Sequence, residues 1–132
     1  MTLVDTNILL DLTGKDAGWA EWSGRALEVA FGRGPVFVND VVFAELSIGF
    51  DRLEGCEGLL DAVGIGILPI PRPALFLAGK VFQAYRRRGG PRTGVLPDFF
   101  IGAHAAVEGL PLITRDVRRY RTYFPTIDLI AP

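Results

Sequence analysis

The chain is poor in cysteine and has no long apolar run, and both shortages exclude whole classes of protein. Its single cysteine, Cys56, excludes an internal disulfide and a multi-cysteine zinc site. The longest uncharged runs fall short of a membrane span, because Lys80 and Asp98 break the most apolar region. No secretory signal is visible, since residues 1–4 read at once as a strand that ends at Asp5. We therefore expect a cytoplasmic protein without a membrane segment.

Size and composition predict a globular protein. The chain has 132 residues, of which 49% are hydrophobic and 22% are charged, so it can bury a core and is well away from disorder. It contains no internal repeat, no low-complexity segment and no linker. We expect one domain that covers residues 1–132.

Strand-like and helix-like segments alternate along the chain. Short apolar runs bounded by glycine, proline or asparagine predict strands at residues 3–5, 36–38, 67–70 and 112–113, with residues 127–130 as a candidate fifth strand. Apolar residues at helical spacing, with proline starts and glycine stops, predict helices at residues 19–31, 40–50, 56–63, 71–88 and 97–108. This alternation predicts an α/β fold, a three-layer α/β/α arrangement around a mostly parallel sheet of four to five strands.

Four acidic residues lie inside or at the end of segments that read as buried: Asp5, Glu45, Asp98 and Asp116. Buried acids are rare unless a positive charge neutralises them. Asp5 and Asp116 follow strands, and the carboxyl ends of parallel strands are where open α/β sheets bind ligands. Each acid also has a simpler explanation as a helix cap or helix-dipole partner. Glu45 fits that explanation least, because no cation lies three or four residues away from it along its helix.

If the four carboxylates converge, they need a cation between them. Two unit charges ~4 Å apart repel by about 4 kcal/mol at an effective dielectric constant of 20. A site of oxygen ligands without histidine or cysteine favours Mg²⁺ or Mn²⁺ over zinc. Such ions support hydrolysis of phosphate esters by activating a water and stabilising the leaving oxygen.

The charge distribution indicates a polyanionic substrate. The net charge is −1, yet nine of the 14 lysine and arginine residues lie between positions 80 and 121, together with only three acids. A basic surface around an acidic point is typical of proteins that act on nucleic acids. We predict RNA-phosphate contacts at Arg86, Arg87, Arg88, Arg92 and Arg115.

The residues around the four acids match a known family in order and spacing. Residues 3–9 (LVDTNIL), 43–46 (FAEL), 96–105 (LPDFFIGAHA) and 112–116 (LITRD) resemble the four motifs of PIN-domain nucleases. The compact chain is similar to the VapC-type toxins of toxin–antitoxin pairs. That resemblance implies a Mg²⁺- or Mn²⁺-dependent endoribonuclease that forms a homodimer and binds a cognate antitoxin protein. It assigns catalysis and metal binding to Asp5, Glu45, Asp98 and Asp116, supported by Thr6, Asn7 and Thr114.

Other interpretations stay open at this point. A PIN fold with weak catalysis could act only as an RNA-binding module. A receiver-like signalling domain would need an acceptor aspartate after the third strand and a late lysine, and a phosphatase of the haloacid dehalogenase type would need an aspartate where Asn7 stands. The N-cap of the Glu45 helix is Asn39 or Asp40, and Asp40 is either that cap, which its position favours, or a fifth site residue. Gly102, in the Asp98 helix, would allow a close approach by a neighbouring element.

Overall fold

Five parallel strands form the centre of the fold in the computed structural model, which describes residues 1–14, 18–91 and 94–132. The strands are β1 (Thr2–Val4), β2 (Val36–Asn39), β3 (Gly66–Leu68), β4 (Leu112–Ile113) and β5 (Leu129–Ile130). Across the sheet their order is β3-β2-β1-β4-β5, and all four neighbouring pairs are parallel. The predicted α/β fold with a mostly parallel sheet is confirmed, and the candidate fifth strand belongs to the sheet.

Seven helices lie between the strands in the part of the chain that the structure describes. They are α1 (Thr6–Thr13), α2 (Ala20–Arg33), α3 (Asp40–Ser47), α4 (Leu53–Val63), α5 (Arg72–Arg87), α6 (Pro97–Glu108) and α7 (Arg118–Tyr123). The chain adds β2 and β3 on one side of β1, then crosses back to add β4 and β5 on the other side. Because parallel crossovers are right-handed, this reversal places helices on both faces of the sheet, as the α/β/α prediction requires. No helix among the described residues is long and apolar enough to cross a membrane.

The sequence-based boundaries differ from the structure where side chains redirect the backbone. The third strand ends at Leu68, two residues before its predicted end, because Pro69 has no N–H for the ladder. The next backbone N–H, that of Ile70, donates instead to Asp40 Oδ2 at 3.3 Å. Helix α1 is the short helix that the capping explanation of Asp5 implies, whereas α7 is a helix where the sequence indicates only a turn.

Gly102 lets α6 approach the segment that follows α7. A Cβ atom at this position would lie 2.4 Å from ring atoms of Phe124, and both residues are buried. The close approach expected from the sequence is therefore present, and it fixes the end of the helix that carries Arg118 to Tyr123.

We expect Gly102→Ala to destabilise the protein by about 1–3 kcal/mol, because overpacking against Phe124 outweighs the better helix propensity of alanine. Urea unfolding would measure this difference. Gly79→Ala is the matched control, since a Cβ at helical Gly79 meets nothing within 4 Å, and it should stabilise the protein slightly. Equal stability of Gly102→Ala and the wild type would contradict the close-packing argument.

Candidate active site

The candidate site lies where the direction of sheet growth reverses. Strand β1 pairs with β2 on one side and with β4 on the other. After β1 the chain continues into α1, and after β4 it continues into α7. In open parallel sheets this switch point leaves a crevice at the carboxyl ends of the strands. Asp5 follows β1 directly, and its backbone N–H donates to Ile113 O of β4 at 2.9 Å. Thr114 follows β4 directly, so the two residues face each other across the crevice.

Asp5 is the buried centre of a hydrogen-bond network. Its Oδ1 accepts the backbone N–H of Thr6 at 2.7 Å, which caps α1. Its Oδ2 accepts the hydroxyl of Thr114 at 2.8 Å, the phenol of Tyr120 at 2.9 Å and, at 3.4 Å, the side-chain amide of Asn7. Burial, the opposing hydrogen bonds of these donors and the negative charge of Asp98 together leave the pKa of Asp5 raised to about 6. This carboxylate is thus held in place but lacks a full counter-charge.

The other three acids interact electrostatically with Asp5 or with its neighbours Asp98 and Tyr120. Burial raises the pKa of Asp98, and the charge of Asp116 adds to that effect, while Arg119 opposes it. Burial also raises the pKa of the Tyr120 phenol, with further increases from the charges of Asp5, Asp98 and Glu45. These couplings connect the four carboxylates, which are far apart in sequence, through Asp98 and Tyr120.

Glu45, Asp98 and Asp116 differ in their hydrogen-bond partners and in their exposure. Glu45 Oε1 accepts the hydroxyl of Thr6 at 2.7 Å, which joins α3 to α1. Asp98 Oδ2 accepts Arg119 Nη1 at 3.1 Å, and both side chains are partly exposed. Asp116 is exposed, so the expectation of a buried acid at this position was wrong. Its backbone N–H donates to the Thr114 hydroxyl at 3.1 Å, which fixes the loop rather than the carboxylate.

The chemistry of this donor set fits a hard divalent cation. The site offers carboxylate and hydroxyl oxygens, and the Asp5 carboxylate is buried without a cation beside it. Within the described ranges, no three His, Cys, Asp or Glu side chains converge closely enough to form a ready-made metal cage. Mg²⁺ does not need one, because waters and substrate phosphates complete its shell around one or two carboxylates.

Comparison with known proteins agrees with this arrangement. The sequence profile of the PIN domain matches residues 2–125, which is nearly the whole chain. The chain belongs to the PIN-domain family. No curated protein sequence matches it.

Solved structures of similar fold share little sequence identity with this PIN domain. One is VapBC2 from Rickettsia felis bound to a promoter DNA fragment, with 20% identity, a TM-score of 0.74 and coverage of 99% of this chain and 98% of that one. Another is VapBC-1 from nontypeable Haemophilus influenzae, with 17% identity, a TM-score of 0.71 and coverage of 98% and 96%. A third is VapBC-5 from Mycobacterium tuberculosis, described as a member of a family of toxin–antitoxin systems, with 21% identity, a TM-score of 0.58 and coverage of 98% and 95%. At these identities the likeness establishes the fold.

The supporting residues named from sequence lie in the network of this PIN domain. Thr6 joins Asp5 to Glu45, and Thr114 joins Asp5 to the Asp116 loop. Asn7 donates to Thr114 Oγ1 at 3.3 Å and accepts the backbone N–H of Arg115 at 3.2 Å. All three therefore hold the β1 and β4 ends together, and their functional role stays a prediction.

Asp40 is not the helix cap that its position suggested. The side chain of Asn39 accepts the backbone N–H groups of Val41 and Val42 and thereby caps α3. Asp40 instead accepts the N–H of Ile70, which ties α3 to the segment after β3. Asn39 precedes Asp40, and its side chain, rather than that of Asp40, makes the N-cap hydrogen bonds. The described contacts give Asp40 a structural role.

The predicted RNA-contact arginines fall into different environments. Arg86, Arg87 and Arg88 are exposed at the end of α5, and the Arg88 guanidinium lies 5.5 Å from the Tyr123 ring centroid. Arg92 lies outside the described residues. Arg115 does not present a free charge to a phosphate, because its guanidinium makes two hydrogen bonds to Asp11, at 2.6 and 2.8 Å. The prediction of a phosphate contact at Arg115 is therefore not supported by its geometry.

Sequence reasoning missed Tyr120 and Arg119, which contact the site acids. Tyr120 is fully buried and donates to Asp5, while Arg119 donates to Asp98. Both belong to α7, a helix where the sequence indicates only a turn after Asp116. No local pattern marks either residue, because their contacts depend on how α7 packs against the rest of the fold.

Proposed function

We propose that this PIN domain is a Mg²⁺- or Mn²⁺-dependent endoribonuclease and the toxin of a toxin–antitoxin pair. The observation that carries the proposal is the region of four carboxylates at the switch point of the sheet, with Asp5 at its buried centre. The family resemblance and the basic stretch between Lys80 and Arg121 support RNA as the substrate. The three solved structures described above are all named VapBC, one of them as a member of a family of toxin–antitoxin systems, and they support an antitoxin partner.

Asp5 and Asp98 would hold the metal ion, with Glu45 and Asp116 as further ligands or as ligands of its waters. A bound divalent ion would polarise the scissile phosphate and acidify a water molecule. The hydroxyls of Thr114 and Tyr120 orient Asp5, and the hydroxyl of Thr6 orients Glu45. Arg119 places a positive charge beside Asp98 that can also meet a substrate phosphate. The resemblance implies a homodimer as well, and this assembly stays a prediction.

We expect the purified protein to cleave RNA with Mg²⁺ or Mn²⁺, and EDTA to stop the cleavage. Asp98→Asn should lower the rate at least about a hundredfold, because it removes a charged metal ligand worth several kcal/mol in the transition state. The assay would use mixed tRNA, rRNA and mRNA, with products separated on denaturing gels. Asp61→Asn is the matched control, since Asp61 is an exposed acid on α4.

Two results would count against the proposal in different ways. Cleavage that persists in EDTA or in Asp98→Asn would refute the metal site. RNA binding without cleavage under any metal condition would favour the RNA-binding module instead. A receiver domain is no longer an alternative, because the chain belongs to the PIN-domain family and β3 is followed by Pro69 rather than by an aspartate.

A further inference from the structure

An open cleft of about 630 Å³ lies between α5 and α7, and one of the four acids, Asp116, lines it. We call it the α5–α7 cleft. Its walls come from the end of α5, from the loop after β4 and from one face of α7. The lining residues are Tyr85, Asp116, Arg118, Arg119, Thr122 and Tyr123.

The α5–α7 cleft shares two residues with the candidate active site. Asp116 lines the cleft, and its negative charge adds to the effect of burial in raising the pKa of Asp98. Arg119 lines the cleft as well, and its guanidinium donates to Asp98 Oδ2 at 3.1 Å. A molecule in the cleft therefore contacts Asp116 and Arg119, and Arg119 is hydrogen-bonded to Asp98.

The cleft has more positive than negative charge. Arg118 is exposed, and no ion pair joins it to any residue within the described ranges. Arg119 is neutralised in part by Asp98, and Arg88 stands over the Tyr123 ring at the cleft's border. The only acidic side chain among the lining residues is Asp116. An anion is the ligand that this distribution favours.

The cleft also offers two tyrosine rings held by the core. The rings of Tyr85 and Tyr123 lie edge to face, 6.2 Å apart between centroids, and each packs edge to face against the fully buried Phe99, at 5.4 and 5.3 Å. Both tyrosines remain partly exposed. Rigid aromatic faces beside arginines take up unstacked nucleobases in proteins that bind single-stranded nucleic acids.

We propose that the α5–α7 cleft binds one nucleotide of a single-stranded RNA next to the scissile phosphate. Its base stacks on Tyr123, with Tyr85 beside it, and its phosphate pairs with Arg118. Arg119 then lies between this nucleotide and Asp98. The proposal rests on the proposed function and adds a subsite to it. An acidic peptide of a protein partner would use Arg118 but has no need of the tyrosine faces.

Binding is best measured in EDTA, so that hydrolysis does not interfere. Fluorescence anisotropy with a short, labelled single-stranded oligoribonucleotide would compare the wild type with Arg118→Gln and Tyr123→Leu. We expect Arg118→Gln to bind about fivefold more weakly at low salt, with a salt slope smaller by about 0.7, as for one phosphate contact on a single strand. Tyr123→Leu should bind about tenfold more weakly with an unchanged slope.

Two control variants distinguish an effect at the cleft from a general effect of charge and from a loss of folding. Arg121→Gln removes the same charge from the same helix outside the cleft and should change the affinity less than about twofold. Tyr123→Phe keeps the ring and should bind like the wild type, whereas loss of binding in both Tyr123 variants would refute stacking. A 2-aminopurine base in the oligonucleotide adds a direct readout: its quenching on binding should survive Arg118→Gln and disappear with Tyr123→Leu.

The results distinguish this subsite from the nuclease proposal. Equal losses in Arg118→Gln and Arg121→Gln, or wild-type binding by Tyr123→Leu, would overturn the subsite even if the protein cleaves RNA. If the variants bind RNA as expected but the wild type shows no metal-dependent cleavage, the subsite is supported and the nuclease proposal is refuted. Failure of the wild type to bind any single-stranded RNA would overturn the subsite.

Discussion

We expect Asp5→Asn to lower RNA cleavage about a thousandfold, and at the same time to stabilise the metal-free protein at about pH 8. Cleavage falls because a charged ligand at the centre of the site contributes about 4 kcal/mol to transition-state stabilisation by the metal. Stability rises because asparagine removes a negative charge that is almost fully buried, with 5% of Asp5 exposed. Few substitutions are expected to move activity and stability in opposite directions by this much.

The pH dependence of stability determines whether Asp5→Asn stabilises or destabilises the protein. Burial, with a further contribution from the charge of Asp98, raises the pKa of Asp5 from 3.8 to about 6 in the folded protein. The folded state therefore binds this proton more tightly than the unfolded chain does. The resulting stabilisation is fully present below about pH 4 and is lost as the pH rises through about 6. The loss corresponds to at most about 3 kcal/mol.

Asparagine should recover only part of that loss. The change places an amide N–H₂ where Oδ2 accepted the hydroxyls of Thr114 and Tyr120, so those groups must reorient. We expect a net gain of about 1–2 kcal/mol above about pH 7, and no gain below about pH 4.

Thermal unfolding in EDTA across this pH range measures the effect, with Asp61→Asn as the exposed-acid control. Titration with Mg²⁺ completes the test, because the ion should stabilise the wild type and not Asp5→Asn. A variant that is less stable than the wild type at every pH would contradict the assignment of a strained, uncompensated charge to Asp5.

The sequence predicted the parts of this site that depend on strand ends. The strand-end argument predicts that Asp5 and Asp116 meet at one edge of the sheet, and the structure joins Asp5 to Thr114, two residues before Asp116, by a hydrogen bond. Glu45 stands out in the sequence because its helix offers no partner cation, and in the structure its carboxylate accepts a neutral hydroxyl, that of Thr6. These inferences need only local patterns and the topology of the sheet.

The parts that were missed depend on packing between distant elements. The short segment after Asp116 carries three basic residues near its start, which read as a solvated turn, yet its helix brings Tyr120 into the core. Asp116 was taken for a buried acid because apolar residues precede it, although the chain leaves the sheet there and exposes the side chain. Neither outcome follows from residue spacing, because both depend on how α7 packs against α6.

Arg115 is a further residue whose contacts could not be predicted from the sequence. A basic residue beside the site acids was interpreted as an RNA contact, but its guanidinium lies on Asp11, a residue of α1. Asp11 is buried and also accepts the hydroxyl of the fully buried Ser23 of α2 at 2.7 Å. The guanidinium further stands 5.1 Å from the Trp19 ring centroid. These partners are distant in sequence, so only the folded chain reveals them.

We expect Asp11→Asn to destabilise the protein by about 3 kcal/mol, because it leaves the partly buried Arg115 charge without its counter-ion. The double variant Asp11→Asn/Arg115→Met should be more stable than Asp11→Asn alone, since it removes the unpaired charge and keeps an apolar stem. Urea unfolding of both single variants and the double variant forms a double-mutant cycle that isolates the pair. Additive effects would show that the two side chains do not interact in solution.

The same pair should affect cleavage through the position of the site loop. Arg115 stands between Thr114, which donates to Asp5, and Asp116, and its backbone N–H donates to Asn7. Because the side chain and the backbone of Arg115 are both anchored to α1, the pair fixes the end of β4 against the end of β1. If Arg115 acts by positioning, Asp11→Asn should lower kcat about tenfold and leave the salt dependence of RNA binding unchanged. If Arg115 instead bound a phosphate, freeing it from Asp11 would strengthen RNA binding and steepen that dependence, and this outcome would overturn the positioning role.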